Sequence, residues 1–360
     1  LEQNGHTVKI IDARIYKKKT FQNLFCGEVF SYDCVGFSVM TSQVKHSYEL
    51  SKWLKQQKKN IPIVWGGVHP TLFPEETCRD ENVDFLIRGE GEYGFLKLLK
   101  YLENGSVDTD TIEGLAYIKN DSVELNALSM PVEVESLPGP AYHLIDIEKY
   151  IPRKLLNGKL VRGMDLLTSR GCPYRCAFCV NPSWSYRKWR AISAGRVLND
   201  IDHLVRVFNI NHIWFADDFF FGAKNKVVEI VQGLISSDYK ITWEANVRVD
   251  NFNSQNIDDE FLTLMKRSGC YMLSMGMESG SDRVLKLIKK DITVSQIVYA
   301  VEQCKKYNII PRGYWMAGLP GETTADVKKT LSLIWEIHKT KPCDDHYAPA
   351  LYHPYPGGEL

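Results

Sequence analysis

Three cysteines within eight residues, Cys172, Cys176 and Cys179, carry the chemistry this sequence is best equipped for. They lie in the run Ser169-Arg170-Gly171-Cys172-Pro173-Tyr174-Arg175-Cys176-Ala177-Phe178-Cys179, a C-x3-C-x2-C spacing on a loop opened by Gly171 and Pro173. Thiolates are soft ligands for metals and for iron–sulfur clusters. A structural zinc site takes four protein ligands, and no fourth cysteine is near in sequence. Three thiolates on a cubic four-iron, four-sulfur cluster leave one iron open, and an open iron is a reactive position. Zinc, or buried thiols without a metal, are the alternatives.

The rest of the chain has to position that loop. Its 360 residues suggest two domains. A hydrophobic fraction of 44% with 24% charged residues is ordinary for a globular protein, and zero net charge argues against a nucleic-acid surface or an anionic membrane as partner. No apolar run reaches transmembrane length and no signal peptide is visible, so a cytoplasmic location is expected. Leu1-Glu2-Gln3-Asn4-Gly5-His6 reads as the last turn of a helix with Gly5 as its cap. The last residues, Pro356-Gly357-Gly358-Glu359-Leu360, follow a strand-like run, and both ends read as cut. The other six cysteines (Cys26, Cys34, Cys78, Cys270, Cys304 and Cys343) show no paired spacing and are expected as buried small apolar residues.

Residues 7–12, 33–39, 61–65 and 83–87 read as strands, with helices over 43–59 and 92–104. That alternation predicts a doubly wound parallel sheet over residues 1–104, whose ligands bind outside the carboxyl ends of the strands. Residues 105–160 read as a connector. It contains a hairpin over 114–119 and 122–125 turned at Asn120-Asp121, and a stiff Leu137-Pro138-Gly139-Pro140 segment. From 161 to 360, strands are expected at 164–169, 211–216, 240–246, 271–277, 312–318 and 347–352. Helices are expected at 192–208, 223–237, 257–268, 281–289 with 294–307, and 323–340. Six such units make a partial (β/α)6 barrel with its site at the carboxyl ends of the strands. The cysteine loop follows the first of them.

The cysteine spacing, with aromatic Phe178 just before the last cysteine, resembles the cluster motif of the radical S-adenosylmethionine (SAM) enzymes. Residues 1–104 resemble the Rossmann-like cobalamin (B12) domain found ahead of many of them. The pieces that match are Asn4-Gly5-His6, Gly36-Phe37-Ser38 with Thr41, Gly66-Gly67-Val68-His69-Pro70 and Arg88-Gly89-Glu90-Gly91-Glu92. The resemblance implies that Ser38 and Gly66-Gly67 line the slot for the nucleotide tail, with Thr41 and Glu90 beside it. The D-x-H-x-x-G signature that brings a histidine to cobalt is not seen; its usual place precedes Leu1. His69, in a proline-containing loop, reads as structural. The alternative is a flavodoxin-like domain whose glycines only make turns.

The same resemblance assigns candidate SAM contacts. Asp217 or Asp218, after the second barrel strand, would accept from the SAM amino group, or cap the next helix. Arg248, ending the third, would pair with the SAM carboxylate or a substrate carboxylate, or form a surface salt bridge. Ser274-Met275-Gly276-Met277-Glu278-Ser279-Gly280 resembles the family's G-x-E-S-G segment, which places Glu278 and Ser279 at the SAM ribose, or at a helix cap. Ala317-Gly318-Leu319-Pro320-Gly321-Glu322-Thr323 resembles the family's segment against adenine, which implicates Gly318 and Gly321, although Gly321 and Thr323 could simply shape the turn. Phe178 is expected near the adenine. The end Tyr352-His353-Pro354-Tyr355-Pro356-Gly357 resembles the family's proline-tyrosine-proline-glycine end.

What the resemblance implies is a [4Fe–4S] cluster on the three cysteines that reductively cleaves SAM to methionine and a 5′-deoxyadenosyl radical. The radical then takes hydrogen from an unactivated carbon of a small-molecule substrate. In the cobalamin members a methyl group is often then passed from methylcobalamin to the substrate radical, SAM serving also to remethylate the cobalt; some members of the same subgroup instead close rings or rearrange carbon skeletons. An electron donor such as flavodoxin or ferredoxin is implied as partner, and a lid that excludes water and oxygen is expected. Two rivals stand beside this reading. One is a methylthiotransferase-like enzyme acting on tRNA, against which Gly66-Gly67 and the wide spacing of Cys26, Cys34 and Cys78 argue. The other is a non-enzymatic B12 or metal sensor with zinc on the cysteines.

Overall fold

The computed structural model describes residues 1–13, 15, 29–128, 130–156, 159–340 and 347–360. The chain divides into two compact units, Leu1–Val132 with Ala141–Asp146, and Glu133–Pro140 with Ile147–Leu360. Each is α/β and built on one main sheet.

In the first unit the sheet runs in chain order: β1 (Val35–Ser38), β2 (Ile63–Gly66), β3 (Phe85–Ile87), β4 (Leu115–Lys119) and β5 (Ser122–Leu125). β1, β2 and β3 pair in parallel, and β4 and β5 continue the sheet antiparallel. The hairpin expected in the connector is therefore the edge of this sheet. Asn120 (φ 51°) and Asp121 (φ 62°) take the left-handed conformations that a two-residue hairpin turn demands. Helix α1 (Val44–Gln57) buries Leu50, Ser51 and Leu54, one face at helical spacing. These pack with Ile61, Ile63, Trp65 and Leu86 on one side of the sheet. The Trp65 indole N–H donates to Ser51 Oγ at 3.0 Å, so this buried aromatic leaves no donor unpaired. Two short helices follow β2, α2 (Val68–Leu72) and α3 (Pro74–Cys78). α4 (Glu92–Asn104) covers the other side with Leu98, against Val64, Ile87, Ile112 and Leu115.

Two expectations are corrected here. Residues 7–12 form no strand: Ile10 is 47% exposed, while Ile11 and Ala13 pack on the core beside them. The segment is held by side-chain contact and not by a ladder of backbone bonds, which an apolar run alone does not specify. His69 lies in α2 and not in a loop. The cap reading of Gly5 holds, at φ 83° after a short 3-10 turn over Glu2–Asn4. Among the scattered cysteines, Cys26 and Cys343 lie outside the described residues. Cys78, Cys270 and Cys304 are buried free thiols and Cys34 is half-buried. Burial raises all four, Cys78 to about 11, as expected of thiols that serve as packing.

In the second unit a seven-stranded sheet has the order β14-β13-β12-β11-β10-β7-β6. Its parallel strands are β7 (Lys159–Leu166), β10 (His212–Phe215), β11 (Thr242–Val247), β12 (Cys270–Glu278), β13 (Ile310–Ala317) and β14 (Tyr347–Leu351). β6 (Arg153–Leu156) pairs antiparallel with β7 at the edge. β8 (Ser169–Arg170) and β9 (Arg190–Ala191) form a separate two-stranded ladder around the cysteine loop. This is the expected partial barrel, with a first strand that starts earlier and a hairpin partner that was not foreseen.

The connecting helices are α5 (Asn181–Trp184), α6 (Ala194–Phe208), α7 (Lys224–Ser236), α8 (Asp259–Arg267), α9 (Asp282–Leu287), α10 (Val294–Lys306) and α11 (Thr324–Thr340). Their starts are written locally. Ser193 and Asp258 cap α6 and α8 through backbone N–H groups of Arg196 and Phe261. Thr293 and Gln296 form a capping box on α10. Asp259 and Glu260 in the first turn of α8, and Lys266 and Arg267 in its last, suit the helix dipole.

Candidate active site at the carboxyl ends of the barrel strands

The cysteine loop leaves β8 at Gly171, whose φ of +81° belongs to the left-handed region. A side chain there would also meet Ser185 Cβ at 3.0 Å and run into the Lys188 carbonyl, so glycine is required twice over. The three thiols are unbonded to one another; Cys176 is buried, Cys172 and Cys179 half-buried. Burial pushes the Cys172 thiol up, opposed by the Tyr174 backbone N–H, and the neighbouring Cys176 and Cys179 push it further. Cys179 is raised in the same way, by burial first, opposed by the Asn181 N–H at 3.4 Å. A cationic centre among the three sulfurs would relieve both the desolvation and the mutual repulsion. Among the described residues, no three His, Cys, Asp or Glu side chains are placed to hold a single metal ion. Three cysteine sulfurs near enough to raise one another are soft donors of the kind that metals and iron–sulfur clusters take.

The acidic pair after β10 divides. Asp217 is fully buried, and its Oδ1 accepts from the Thr168 N–H at 3.0 Å, the Thr168 hydroxyl at 3.1 Å and the Ser169 hydroxyl. It thereby fastens the turn that leads into the cysteine loop. Lys226 braces the same turn, donating to Thr168 O and Oγ1, both at 2.9 Å. Burial raises Asp217 and lowers Lys226 to about 8. Asp218 is exposed, and its charge reaches Cys172 and Cys179. Asn246, on β11, donates to the Asp217 carbonyl at 3.2 Å. Asp217 Oδ2 and Asn246 Oδ1 are buried acceptors with no partner among the described residues, a costly arrangement that a bound donor would correct.

Arg248 is 7% exposed, and its ion pair is with half-buried Asp250. Its guanidinium lies over the Tyr174 ring, 3.6 Å from Cζ to the centroid. Nε and Nη2 grip the Asp250 carboxylate at 3.0 and 3.1 Å, Nη2 also donates to Lys290 O at 2.7 Å, and Nη1 lies 3.8 Å from Cys176 Sγ. Four of its five N–H groups are thus committed inside the protein.

Glu278 ends β12 at φ +58°, next to an irregularity in the ladder with β13. Its Oε1 pairs with Lys290 Nζ at 2.7 Å, both side chains buried. Gly276 makes room for the pair, since a Cβ there would come within 2.5 Å of Lys290 Nζ and overlap Glu278 Oε1. Ser279 and Gly280 serve packing: Ser279 Oγ lies 3.2 Å from Thr330 Oγ1, and the Gly280 N–H donates to Thr330 Oγ1 at 2.8 Å, which seats α11 on the strand end. Gly318 (φ +82°) has open space beyond its Cα, and its N–H is held by Glu322 at 2.7 Å. Gly321 (φ +76°) faces Leu287, and its carbonyl accepts from Arg283 at 2.8 Å. Phe178 packs against the cluster of Val284, Ile288 and Leu319. The chain end folds back on the loop: Glu359 and Leu360 donate to Ala177 O at 2.8 and 3.1 Å, and Ser183 Oγ donates to Gly357 O at 2.7 Å.

The strand ends of the first unit gather a second set. Gly67 (φ +98°) lies against the chain after β1, where a Cβ would sit 2.8 Å from Val39 N. Ser38 Oγ is beside it. Thr71 ties two strand ends together, donating to Gly67 O at 2.8 Å and accepting from the Gly89 N–H at 2.9 Å. Thr41 is exposed, and Glu90 Oε2 accepts from the Val132 N–H at 2.8 Å. His69 is 6% exposed, neither ring nitrogen has a partner among the described residues, its ring lies tilted beside Phe73, and burial lowers its pKa.

Sequence reasoning missed Tyr174, Asn246, Asp250, Lys290 and Thr330. Asp250 stands two residues from Arg248, a spacing that could have been noticed. Tyr174 lies between the first two cysteines and Asn246 two residues before Arg248, so both were also within reach of the sequence. Lys290 and Thr330 meet the site only through tertiary contacts.

A family profile for the Radical SAM superfamily matches residues 166–334, and one for the B12 binding domain matches residues 1–99. The chain is 33% identical over 360 residues to an uncharacterized methyltransferase of Pyrococcus horikoshii, an alignment covering 99% of this chain and 74% of that one. It is 25% identical to the anaerobic magnesium-protoporphyrin IX monomethyl ester cyclase of Rubrivivax gelatinosus, covering 91% of this chain and 58% of the cyclase. The fold is similar to that of the cobalamin-dependent S-adenosylmethionine radical enzyme OxsB with aqua-cobalamin bound. The TM-score is 0.77 at 24% identity, covering 92% of this chain and 47% of OxsB. The chain thus spans somewhat over half of the cyclase and about half of OxsB. Among the described residues, no helix is long and apolar enough to cross a membrane.

Proposed function

We propose, on the premise that this chain belongs to the radical SAM enzymes that carry a B12-binding domain, that it methylates, cyclises or rearranges a small molecule at an unactivated carbon. Its cofactors are SAM, an iron–sulfur cluster and cobalamin. When bound, they supply reductive cleavage of SAM and methyl transfer, and the protein supplies position and electrostatics. An electron donor of the flavodoxin or ferredoxin kind delivers the reducing equivalent.

The observation that carries this reading is the cysteine triad on a loop fastened at the carboxyl ends of the barrel strands by Asp217 and Arg248. Cys172, Cys176 and Cys179 hold a [4Fe–4S] cluster. The unpartnered acceptors Asp217 Oδ2 and Asn246 Oδ1, with the exposed Asp218 nearby, suit an ammonium donor such as the SAM amino group. The one uncommitted Nη1 hydrogen of Arg248 is available to a carboxylate. Glu278, oriented by Lys290, accepts from ribose hydroxyls, and Phe178 with the Gly318–Gly321 turn forms the apolar wall for adenine. Ser279 contributes by seating α11. In the first unit, Ser38, Gly66, Gly67, Thr41 and Glu90 line the cobalamin site, and the orphaned His69 ring offers it a hydrogen bond.

Metal analysis after anaerobic purification tests the proposal. Iron with sulfide and cobalt is expected, and zinc alone would contradict it in favour of a sensor. Cys176→Ala protein should lack the broad absorbance near about 400 nm that such clusters give.

A further inference from the structure

Arg248 is buried beside a cluster cysteine, and most of its donors point away from any ligand. Cation, ring and carboxylate form a closed stack: Tyr174, from between the first two cysteines, lies under the guanidinium, and Asp250 grips its edge with two bonds. The remaining contacts are the Lys290 carbonyl at 2.7 Å and Cys176 Sγ at 3.8 Å from Nη1. Tyr174 is itself backed edge-on by Phe219 at 5.2 Å. The guanidinium therefore has little freedom to leave the sulfur.

We propose that Arg248 is a positioning residue for the cluster: a fixed positive charge and N–H donor on the Cys176 sulfur that raises the cluster's reduction potential, with Asp250 as the counter-charge that limits the rise. This rests on the reading that the triad holds an iron–sulfur cluster. Reduction adds an electron beside Cys176. A cation and an N–H donor there stabilise the reduced form more than the oxidised one, in a site where water screens little. Asp250, on the far side of the guanidinium, opposes this. The electron enters the cluster with no bond made or broken at Arg248, which only sets how readily it arrives.

The two charges predict shifts of opposite sign, which a role in folding alone would not produce. Potentiometric titration of the anaerobically purified holoenzyme, followed by electron paramagnetic resonance without SAM, reads the midpoint directly. Arg248→Gln should lower it. Asp250→Asn, which keeps an acceptor for the guanidinium but removes the charge, should raise it. Midpoints equal to wild type in both variants overturn the proposal. So does an Arg248→Gln enzyme whose SAM-free midpoint is unchanged while its SAM affinity falls, because Arg248 would then serve the SAM carboxylate instead. If Arg248→Gln fails to retain iron, Asp250→Asn decides alone, and an unchanged or lowered midpoint overturns the proposal. A wild-type protein without iron and sulfide would instead remove the cluster reading itself.

Discussion

Replacing Lys290 by Met would leave the Glu278 carboxylate buried without its cation. The two side chains are 9% and 7% exposed, with Nζ and Oε1 2.7 Å apart. At an effective dielectric of about 20, the attraction between unit charges at that distance is about 6 kcal/mol. Desolvating both ions costs several kcal/mol each, so the intact pair adds little net stability. Breaking it is different, because one desolvation cost remains with nothing to offset it, and such losses are about 3–5 kcal/mol. Gly276 provides no substitute partner, and the strand end is irregular there. Urea denaturation of the second unit's transition at neutral pH, in the whole apoprotein, should show that loss for Lys290→Met. Adding Glu278→Gln should restore part of it by removing the stranded charge. A loss below about 1 kcal/mol in the single variant, or a double variant as unstable as the two losses summed, would refute the picture of a mutually dependent buried pair.

Three further outcomes follow from the geometry. Gly67→Ala forces a Cβ onto Val39 N and O at 2.8 and 2.9 Å in a left-handed conformation; it should cost about 2–4 kcal/mol and weaken cobalamin binding in equilibrium dialysis, and an alanine variant as stable as wild type contradicts it. Burial holds Asp217 above its ordinary 3.8, so the folded state keeps a proton that the unfolded chain has lost, and stability should fall as pH rises from about 4 towards the folded value; Asp217→Asn should flatten that slope. Lys226 is held at about 8 against an ordinary 10.5, so between those values the unfolded chain binds more protons and stability should rise with pH. Lys226→Met should abolish the rise, and a slope that survives would show that another group titrates there.

The elements that follow from local pattern were legible. α4 was expected over 92–104, where the structure has Glu92–Asn104, because its apolar spacing and the flanking Gly91 and Gly105 are read without knowledge of neighbours. The Asn120-Asp121 turn and the six parallel barrel strands were legible for the same reason. Elements that depend on what lies alongside were not. Residues 7–12 have the composition of a strand but no ladder, and β6 exists because β7 is there to pair with it. The site divides in the same way. The spacing of Cys172, Cys176 and Cys179 identified the loop, and the glycines marked the strand ends. The direction of each charged side chain was beyond reach. Asp217 turns back to Thr168 and Ser169, and Arg248 turns onto Tyr174 and Cys176, because partners far away in sequence receive them.

SAM cleavage at the triad is the step from which the rest of the proposed chemistry follows. Anaerobic protein with a full complement of iron and sulfide, incubated with SAM and a strong reductant, should release 5′-deoxyadenosine, detected by mass spectrometry. Release should depend on Cys172, Cys176 and Cys179. S-adenosylhomocysteine formed alongside it identifies methylation, whereas deoxyadenosine by itself identifies another radical reaction. Intact SAM after many turnover times, with the cluster fully assembled and reduced, would contradict the central claim.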